Sequence, residues 1–438
     1  MRKVGMVSLG CAKNRVDSEN MLGMLREKGF EIVNDPAEAD VLFVNTCGFI
    51  ESAKEESIDA IFEMAQYKKA GKAKKLFVTG CLAQRYPDAL LSEIPEIDGI
   101  LGVAEYSRLF EMMDQAEAGE KPCYTANGAR FLKTPRVLTT PGYSAYVKIS
   151  DGCDNRCTYC AIPLIRGGYS SRPFDDIVEE CEKLAGEGVT EITLIAQDTS
   201  RYGCDLGDHH YMLPELLEAV SAIEGVHWVR VLYCYPDSTE DRLLDAIQRL
   251  PKVAPYLDLP LQHIDDDLLR RMNRRGDSKL IKSRIEECRK RGIIVRTTMI
   301  VGFPGETDAQ FQTLLDFVKE ARFDRLGAFT YSAEEGTPAA IMPDQIDEAV
   351  KAERLDQLMM LQQAISMEVN EARIGTECEV LVDGFDDETG RFYGRSLLEA
   401  PESDGCIWLN AKRELIPGEY VQVRITGADA YDLEGEVL

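Results

Sequence analysis

Apolar and polar positions along the chain fall into two successive rhythms. In the first, a short apolar run at Val4–Leu9 (VGMVSL) precedes a stretch whose apolar residues recur at helical spacing (VDSENMLGMLREKG), closed by Gly29. VLFVN at Val41–Asn45 leads into a second helical stretch from Phe49 to about Lys69, with Ile50, Ala53, Ile58, Ile61, Phe62 and Ala65 on one stripe. KLFVT at Lys75–Thr79 begins a third unit. Uninterrupted apolar strands alternating with amphipathic helices describe a parallel sheet covered on both faces, so a doubly wound α/β domain is expected over 1–118.

A stretch rich in Gly, Pro, Thr and Lys follows, from Ala116 to Gly142, and a linker is placed at 119–138. The second rhythm then starts. Strands are expected at Tyr143–Ser150, Glu191–Ala196, Trp228–Tyr233, Tyr256–Leu261, Ile293–Val301 and Arg325–Tyr331, with helices such as Asp175–Ala185 and Leu280–Arg291 between them. Six β/α units over 139–369 make an incomplete (β/α)6 barrel, whose chemistry belongs at the carboxyl ends of the strands. A long helical segment from Asp344 to about Ala372 carries a Met, Leu and Ile stripe read as packing on that barrel. Five short strands after Arg373 predict a small all-β barrel over 370–438.

Length and composition agree: 438 residues with 45% hydrophobic content can build three cores. MRKVGMVSLGC has too short an apolar run for a signal peptide, and no later run nears the ~18 apolar residues of a membrane span. A cytoplasmic protein without a membrane role is expected. A formal charge of −26 weighs against wrapping long nucleic acid, DNA included. From Arg373 onward, 6 Lys or Arg stand against 15 Asp or Glu, so the small barrel suits a basic protein better than a phosphate backbone.

Thirteen cysteines in such a chain argue for metal or redox use, because the cytosol keeps thiols reduced. Cys153, Cys157 and Cys160 lie four and then three residues apart in DGCDNRCTYCAIPLIRGGY. A structural zinc site needs four ligands, and no second CxxC pair follows. Three thiolates on one loop fit a 4Fe-4S cluster with one open iron. Cys11, Cys47 and Cys81 stand 36 and 34 residues apart, each at a strand-to-helix turn. A parallel sheet brings such turns to one edge, so these three read as a second three-cysteine cluster site. Cys123, Cys181, Cys204, Cys234, Cys288, Cys378 and Cys406 show no ligand spacing and read as core or inert thiols, and His209-His210 as exposed loop. Strand-end position selects Gln197, Asp198, Gln262, His263 and the GFPGE turn from Gly302 to Glu306 as cofactor-binding candidates. Arg166 and Arg172 are candidates to hold a cofactor or substrate carboxylate, or to form surface ion pairs.

CxxxCxxC with Tyr159 before the last cysteine resembles the cluster loop of radical S-adenosylmethionine (SAM) enzymes. That resemblance implies SAM chelated at the open iron, Tyr159 near its adenine, and radical generation at Cys153, Cys157 and Cys160. Together with SLGCAKNRVDSE at Ser8–Glu19 and LPLQH at Leu259–His263, the whole chain resembles the methylthiotransferase family, in the branch that modifies a ribosomal protein. The resemblance implies a C-terminal TRAM domain, two 4Fe-4S clusters, SAM as radical source and methyl donor, and a methylthio group placed on the β-carbon of an aspartate of small-subunit ribosomal protein S-twelve. Implied partners are that protein or the small ribosomal subunit and an electron donor such as flavodoxin or ferredoxin, with the enzyme a monomer. Two other readings fit the same residues: the same chemistry on a tRNA adenosine, and a non-catalytic iron-sulfur or zinc protein.

Overall fold

The computed structural model describes residues 1–128, 131 and 133–438. Its first unit is a parallel sheet of β1 (Lys3–Ser8), β2 (Glu31–Ile32), β3 (Val41–Thr46), β4 (Lys75–Thr79), β5 (Gly99–Leu101) and β6 (Cys123–Tyr124), in the order β2-β1-β3-β4-β5-β6. Every residue of β3 is buried. Leu42 and Val44 join the core on one face, while Val41 and Phe43 join the core on the other. Burial on both faces is why the strand reads as a continuous apolar run. The two- and three-residue strands β2, β5 and β6 are too short to show periodicity. β6 lies in the stretch read as linker, and its Cys123 pairs with Ile100 at the sheet edge.

The second unit contains the six expected strands with trimmed ends: β7 (Ser144–Lys148), then after the short pair β8 (Ser150–Asp151) and β9 (Ser170–Ser171), β10 (Glu191–Ile195), β11 (Trp228–Val231), β12 (Tyr256–Asp258), β13 (Ile294–Val301) and β14 (Arg325–Thr330). They form two parallel three-stranded halves, β11-β10-β7 and β12-β13-β14. A lone bridge between Val229 and Val253 and the bond from Cys234 N to Asp258 O (2.8 Å) join the halves. Between β14 and β7 the barrel is open. The long helix runs from Glu348 to Glu371, with the Asp347 side chain capping the Ala349 N–H, and its Leu358 and Ile365 enter the barrel core as the stripe predicts. In the third unit β15 (Glu377–Asp386), β16 (Arg391–Arg395), β17 (Ile407–Asn410), β18 (Tyr420–Ala428) and β19 (Leu433–Val437) close into a barrel.

All three units meet inside the (β/α)6 barrel. Val16 of the helix Ala12–Glu27 packs with Tyr146, Ile195, Leu232 and Tyr256 of the barrel strands and with Ala400 of the third unit. Below this plug, Arg395 donates two parallel bonds to Glu191 (3.0 and 2.9 Å), both side chains being buried. Burial pushes the Glu191 carboxyl up, but Arg395 overcomes it and leaves it below its ordinary value. The first unit is held against the barrel by Glu19, which accepts from Arg136 and from the Thr139 N–H (2.8 Å).

Gly23 lies on the same helix, where Ala would ordinarily stabilise by about 1 kcal/mol. A Cβ there would sit 1.8 Å from the Pro135 carbonyl oxygen. Gly23→Ala is expected to lower the calorimetric unfolding midpoint, by an overpacking cost of about 1–3 kcal/mol. An unchanged or raised midpoint would show that the segment at Pro135 yields.

Candidate active site

The first cysteine trio is assembled by three turns at the carboxyl edge of the six-stranded sheet. Cys11 is the N-cap of the helix Ala12–Glu27, Cys47 directly follows β3, and Cys81 lies in the first turn of the helix Gly80–Arg85. These turns touch. A Cβ on Gly10, at φ +87°, would lie 2.9 Å from the Cys47 Cβ, and one on Gly48 would lie 2.8 Å from the Leu82 nitrogen. Asn14 ties them together: its Nδ2 donates to Leu9 O and Thr46 O (both 2.9 Å), and its Oδ1 accepts from the Cys81 thiol at 3.7 Å. Burial, then the neighbouring Cys11 and Cys47, push the Cys81 thiol up to about 12, with Arg166 opposing. Cys11 behaves oppositely. Burial acts upward on it as well, but Lys13, Arg166 and the N–H groups of Asn14 and Lys13 bring its thiol below the ordinary value.

The second trio occupies the loop between β8 and β9. Gly152 at φ +74° lets the backbone pass where a Cβ would meet Gly168 O at 2.0 Å, and Cys153 N donates to Gly167 O (3.2 Å). Asn273 supports the loop from the barrel, donating to Arg156 O (2.9 Å) and Asn155 O (3.2 Å). Burial pushes Cys153 up to about 11 and Cys160 up to about 12. Arg274 Nη1 (3.8 Å) and Tyr235 Oη (3.9 Å) approach the Cys157 sulfur. Among the described residues no three His, Cys, Asp or Glu side chains are spaced to hold a single metal ion. Three thiols, each for a separate iron, are the donor set that a 4Fe-4S cluster with one open iron takes, whereas closed zinc takes four ligands on one ion.

One buried ion network joins the two trios. Arg166 Nη1 donates to both oxygens of Asp151 (3.1 and 3.0 Å), two residues before Cys153. Its Nη2 reaches Asp17 Oδ2 (3.0 Å), Asn14 Oδ1 (3.1 Å) and the Cys81 sulfur (3.7 Å). Lys148 closes the square, donating to Asp17 (2.5 Å) and Asp151 (2.9 Å). Arg166 and Arg172 therefore hold carboxylates of this chain, Arg172 pairing with Glu180 (2.5 Å), and both are buried, so neither forms a surface ion pair nor reaches for a ligand.

The strand-end candidates divide. Tyr159 shares an apolar cluster with Leu268, Met272, Phe303 and Tyr331, which brings the cluster loop against the Gly302–Glu306 turn. Glu306 is fully buried: it accepts from the Gly302 N–H, from Arg354 (3.1 Å) and from His263 Nε2 (3.3 Å), while His263 Nδ1 accepts from Asp265 N (3.0 Å). The side chains of His263 and Glu306 are thus held by this chain's own groups, which fixes the turn. Asp198 is likewise buried, accepting from Asn155 (2.7 Å) and Ser200 (2.9 Å); burial raises its carboxyl to about 6. Gln197 donates to Asp151 (3.0 Å) and leaves its own buried Oε1 without a partner. Gln262 is half-buried at φ +72°. Cys181, Cys234 and Cys288 lie in the barrel core, and His209 and His210 are exposed, as expected.

Asn14, Asp17, Lys148, Asp151, Tyr235 and Arg274 were not singled out from sequence. Asn14 and Asp17 follow Cys11 at helical spacing, and Asp151 precedes Cys153, so proximity to the cysteines was a usable signal. Tyr235 and Arg274 carry none.

Three family models match successive parts of the chain: the uncharacterized protein family UPF0004 at residues 3–102, the radical SAM superfamily at 147–318 and the TRAM domain at 374–438. Among solved structures, the radical SAM methyltransferase TsrM from Kitasatospora setae shares the fold with a TM-score of 0.57 at 17% identity, over 78% of this chain and 77% of that one. The cobalamin-dependent radical SAM enzyme OxsB gives 0.54 at 14%, over 82% and 56%. The fold and its matches thus define a radical SAM protein with an α/β domain before the barrel and a TRAM domain after it. Curated relatives named ribosomal protein uS12 methylthiotransferase RimO are 51% identical in Desulforamulus reducens, over the full length of both chains, and 48% identical in Lachnoclostridium phytofermentans, over 99% of each. The chain belongs to the RimO family.

In the metal-free reduced chain, alkylation followed by peptide mass spectrometry is expected to label Cys11 at least about tenfold faster than Cys81, because Cys11 is uncovered and depressed whereas Cys81 is buried and raised. Equal rates would show that the Asn14-tied turns open without metal.

Proposed function

We propose that this chain is a radical SAM methylthiotransferase that places a methylthio group on the β-carbon of an aspartate of ribosomal protein uS12. The observation that carries the reading is the pair of cysteine trios, contributed by different domains and joined through one buried network at Arg166. Cys153, Cys157 and Cys160 would hold one 4Fe-4S cluster and Cys11, Cys47 and Cys81 the other; bound, with SAM, they supply hydrogen abstraction at an unactivated carbon and the sulfur to be delivered. Such abstraction is required because a β-hydrogen beside a carboxylate is too weakly acidic for a side-chain base.

The chain's own residues supply position and exclusion of water. Tyr159, Phe303 and the Gly302–Glu306 turn form an apolar wall suited to the adenine. Gln197, Asp198 and Gln262 stand at strand ends, Asp198 tied to the cluster loop by its bond to Asn155 and Gln197 to Asp151 just before that loop. Arg274 places a cation beside Cys157. No helix among the described residues is long and apolar enough to cross a membrane. The reading takes the enzyme as a cytoplasmic monomer that receives electrons from a flavodoxin or ferredoxin. The acidic TRAM barrel suits a basic ribosomal protein.

Mass spectrometry of uS12 and of tRNA from a strain lacking this chain tests the reading. The methylthio mass is expected to vanish from uS12 and to return on complementation with the wild type, but not with Cys153→Ala. Loss from tRNA alone would replace uS12 by a tRNA adenosine as substrate. Anaerobic reconstitution is expected to give about eight irons per wild-type chain and about four in Cys47→Ala, with reductive SAM cleavage kept in the variant. Tightly bound zinc in place of iron would remove the enzyme reading.

A further inference from the structure

The loop that carries Cys153, Cys157 and Cys160 has one side turned to solvent. Asp154 and Arg156, between the first two cysteines, are exposed, whereas Cys153 and Cys157 are only 7% and 5% exposed. Its other side is closed, because Asp151 and Arg166 tie it to Asp17 and Cys81 of the first unit. The segment from Arg270 to Arg275 backs the solvent side. Thr158 donates to Met272 O (3.0 Å) and Arg271 O (2.8 Å), Asn273 to Asn155 O and Arg156 O, and the exposed Arg275 reaches Asp154 O at 3.5 Å. Arg156 stands at φ +50°, a left-handed value that glycine adopts with less strain. What arginine adds there is its side chain.

Charges on this face are segregated. Asp265 accepts from the N–H groups of Asp267 and Leu268, Asp266 from Ser278 N (2.7 Å) and Asp277 from Leu280 N (2.8 Å), while Asp267 pairs with Arg270 (2.6 Å). Asp154 turns its carboxylate back onto Gly168. The acids are thus engaged within the chain, and the cations are not: among the described residues no carboxylate pairs with Arg156, Arg271 or Arg275. In a chain of formal charge −26, three such arginines beside one loop invert the local field. The acidic TRAM barrel is remote from them. It grips Glu191 at the start of β10, whereas the loop meets Asp198 beyond the end of that strand, so acidic and basic surfaces stand at opposite ends of the (β/α)6 barrel.

We infer that this face, Arg156 and Arg275 with Arg271 at its edge, docks a small acidic protein that carries one electron. This rests on the function proposed above and names the surface that meets the electron donor. The overall charge of the chain repels an acidic partner, so the basic face both admits it and orients it. Seated on Arg156, the carrier stands one residue from Cys157. One electron passes from its reduced flavin to the cluster held by Cys153, Cys157 and Cys160; the flavin is oxidised by one electron, the cluster is reduced by one, and no bond or proton is transferred.

Calorimetric binding of an acidic flavodoxin to the anaerobically reconstituted full-length protein tests this, with iron content and reduction by dithionite read in parallel. Wild type is expected to bind it, with an affinity that falls as salt rises. Arg156→Glu combined with Arg275→Glu is expected to raise Kd at least about tenfold and to remove that salt dependence, whereas Arg156→Lys combined with Arg275→Lys stays within about threefold of wild type. Dithionite needs no docking surface and is expected to reduce the cluster of all three proteins to the same extent. In wild type alone, flavodoxin is expected to slow hydrogen exchange at 154–158 and 270–275, a readout independent of how any variant folds. Unchanged affinity in the Glu pair, an equal loss in the Lys pair, or protection confined to other segments overturns the inference, as does absence of flavodoxin binding by a wild type that dithionite reduces. A wild type that holds no reducible cluster would instead overturn the function proposed above.

Discussion

The structure depends on a square of four buried charges, Arg166, Asp151, Asp17 and Lys148. Two cations and two carboxylates balance, and each carboxylate touches both cations. Removing such charges from water is expensive, and a buried network of this kind adds little net stability over an apolar packing of the same shape. What it supplies is position. Burial pushes the Asp151 carboxyl up, but Arg166 and Lys148 overcome this and hold it well below the usual carboxylate range. The planar fork of Arg166 fixes the distance from the loop before Cys153 to Asp17, Asn14 and Cys81 on the other domain. Neither trio can shift without breaking charge-assisted bonds shared with the other.

That constraint explains the helix Ala12–Glu27. Its Lys13, Asn14, Asp17, Ser18 and Glu19 are buried together with Val16, Met21, Leu22 and Leu25. A helix buried on polar and apolar sides alike is not the amphipathic surface helix its sequence suggests. It is the element shared by the sheet, the barrel interior and the cysteine edge, and its polar residues are satisfied across domain boundaries. The TRAM barrel is fixed by the same means, through Arg395 on Glu191 and Ala400 in the barrel plug. An acidic domain is thereby carried at a defined place relative to the (β/α)6 barrel.

Sequence and structure agree most closely where signals were local. The six barrel strands, β1, β3, β4 and the long helix over the barrel appear at or within a few residues of their expected places, because each buries a continuous or periodic apolar face large enough to leave a pattern. The three-part α/β, (β/α)6 and all-β architecture follows from that alternation. β2, β5 and β6 escaped because two or three paired residues leave no period. Arg166 and Arg172 were legible as cations after the cluster loop, but their partners were not: Asp17 and Glu180 reach them only through the packing of other elements.

What the sequence by itself determined is the inventory and its chemistry: six cysteines in two ligand patterns, an aromatic residue beside one of them, and strand-end turns on which such ligands converge. Spacing along a chain suffices for this, because a short loop or a parallel sheet edge converts sequence position directly into place. Tertiary structure alone decided which charges are used up and which are left over. His263 and Glu306 became internal props and Arg166 the bolt between domains, since charge pairing in a buried site is set by which elements meet there and not by order in the chain.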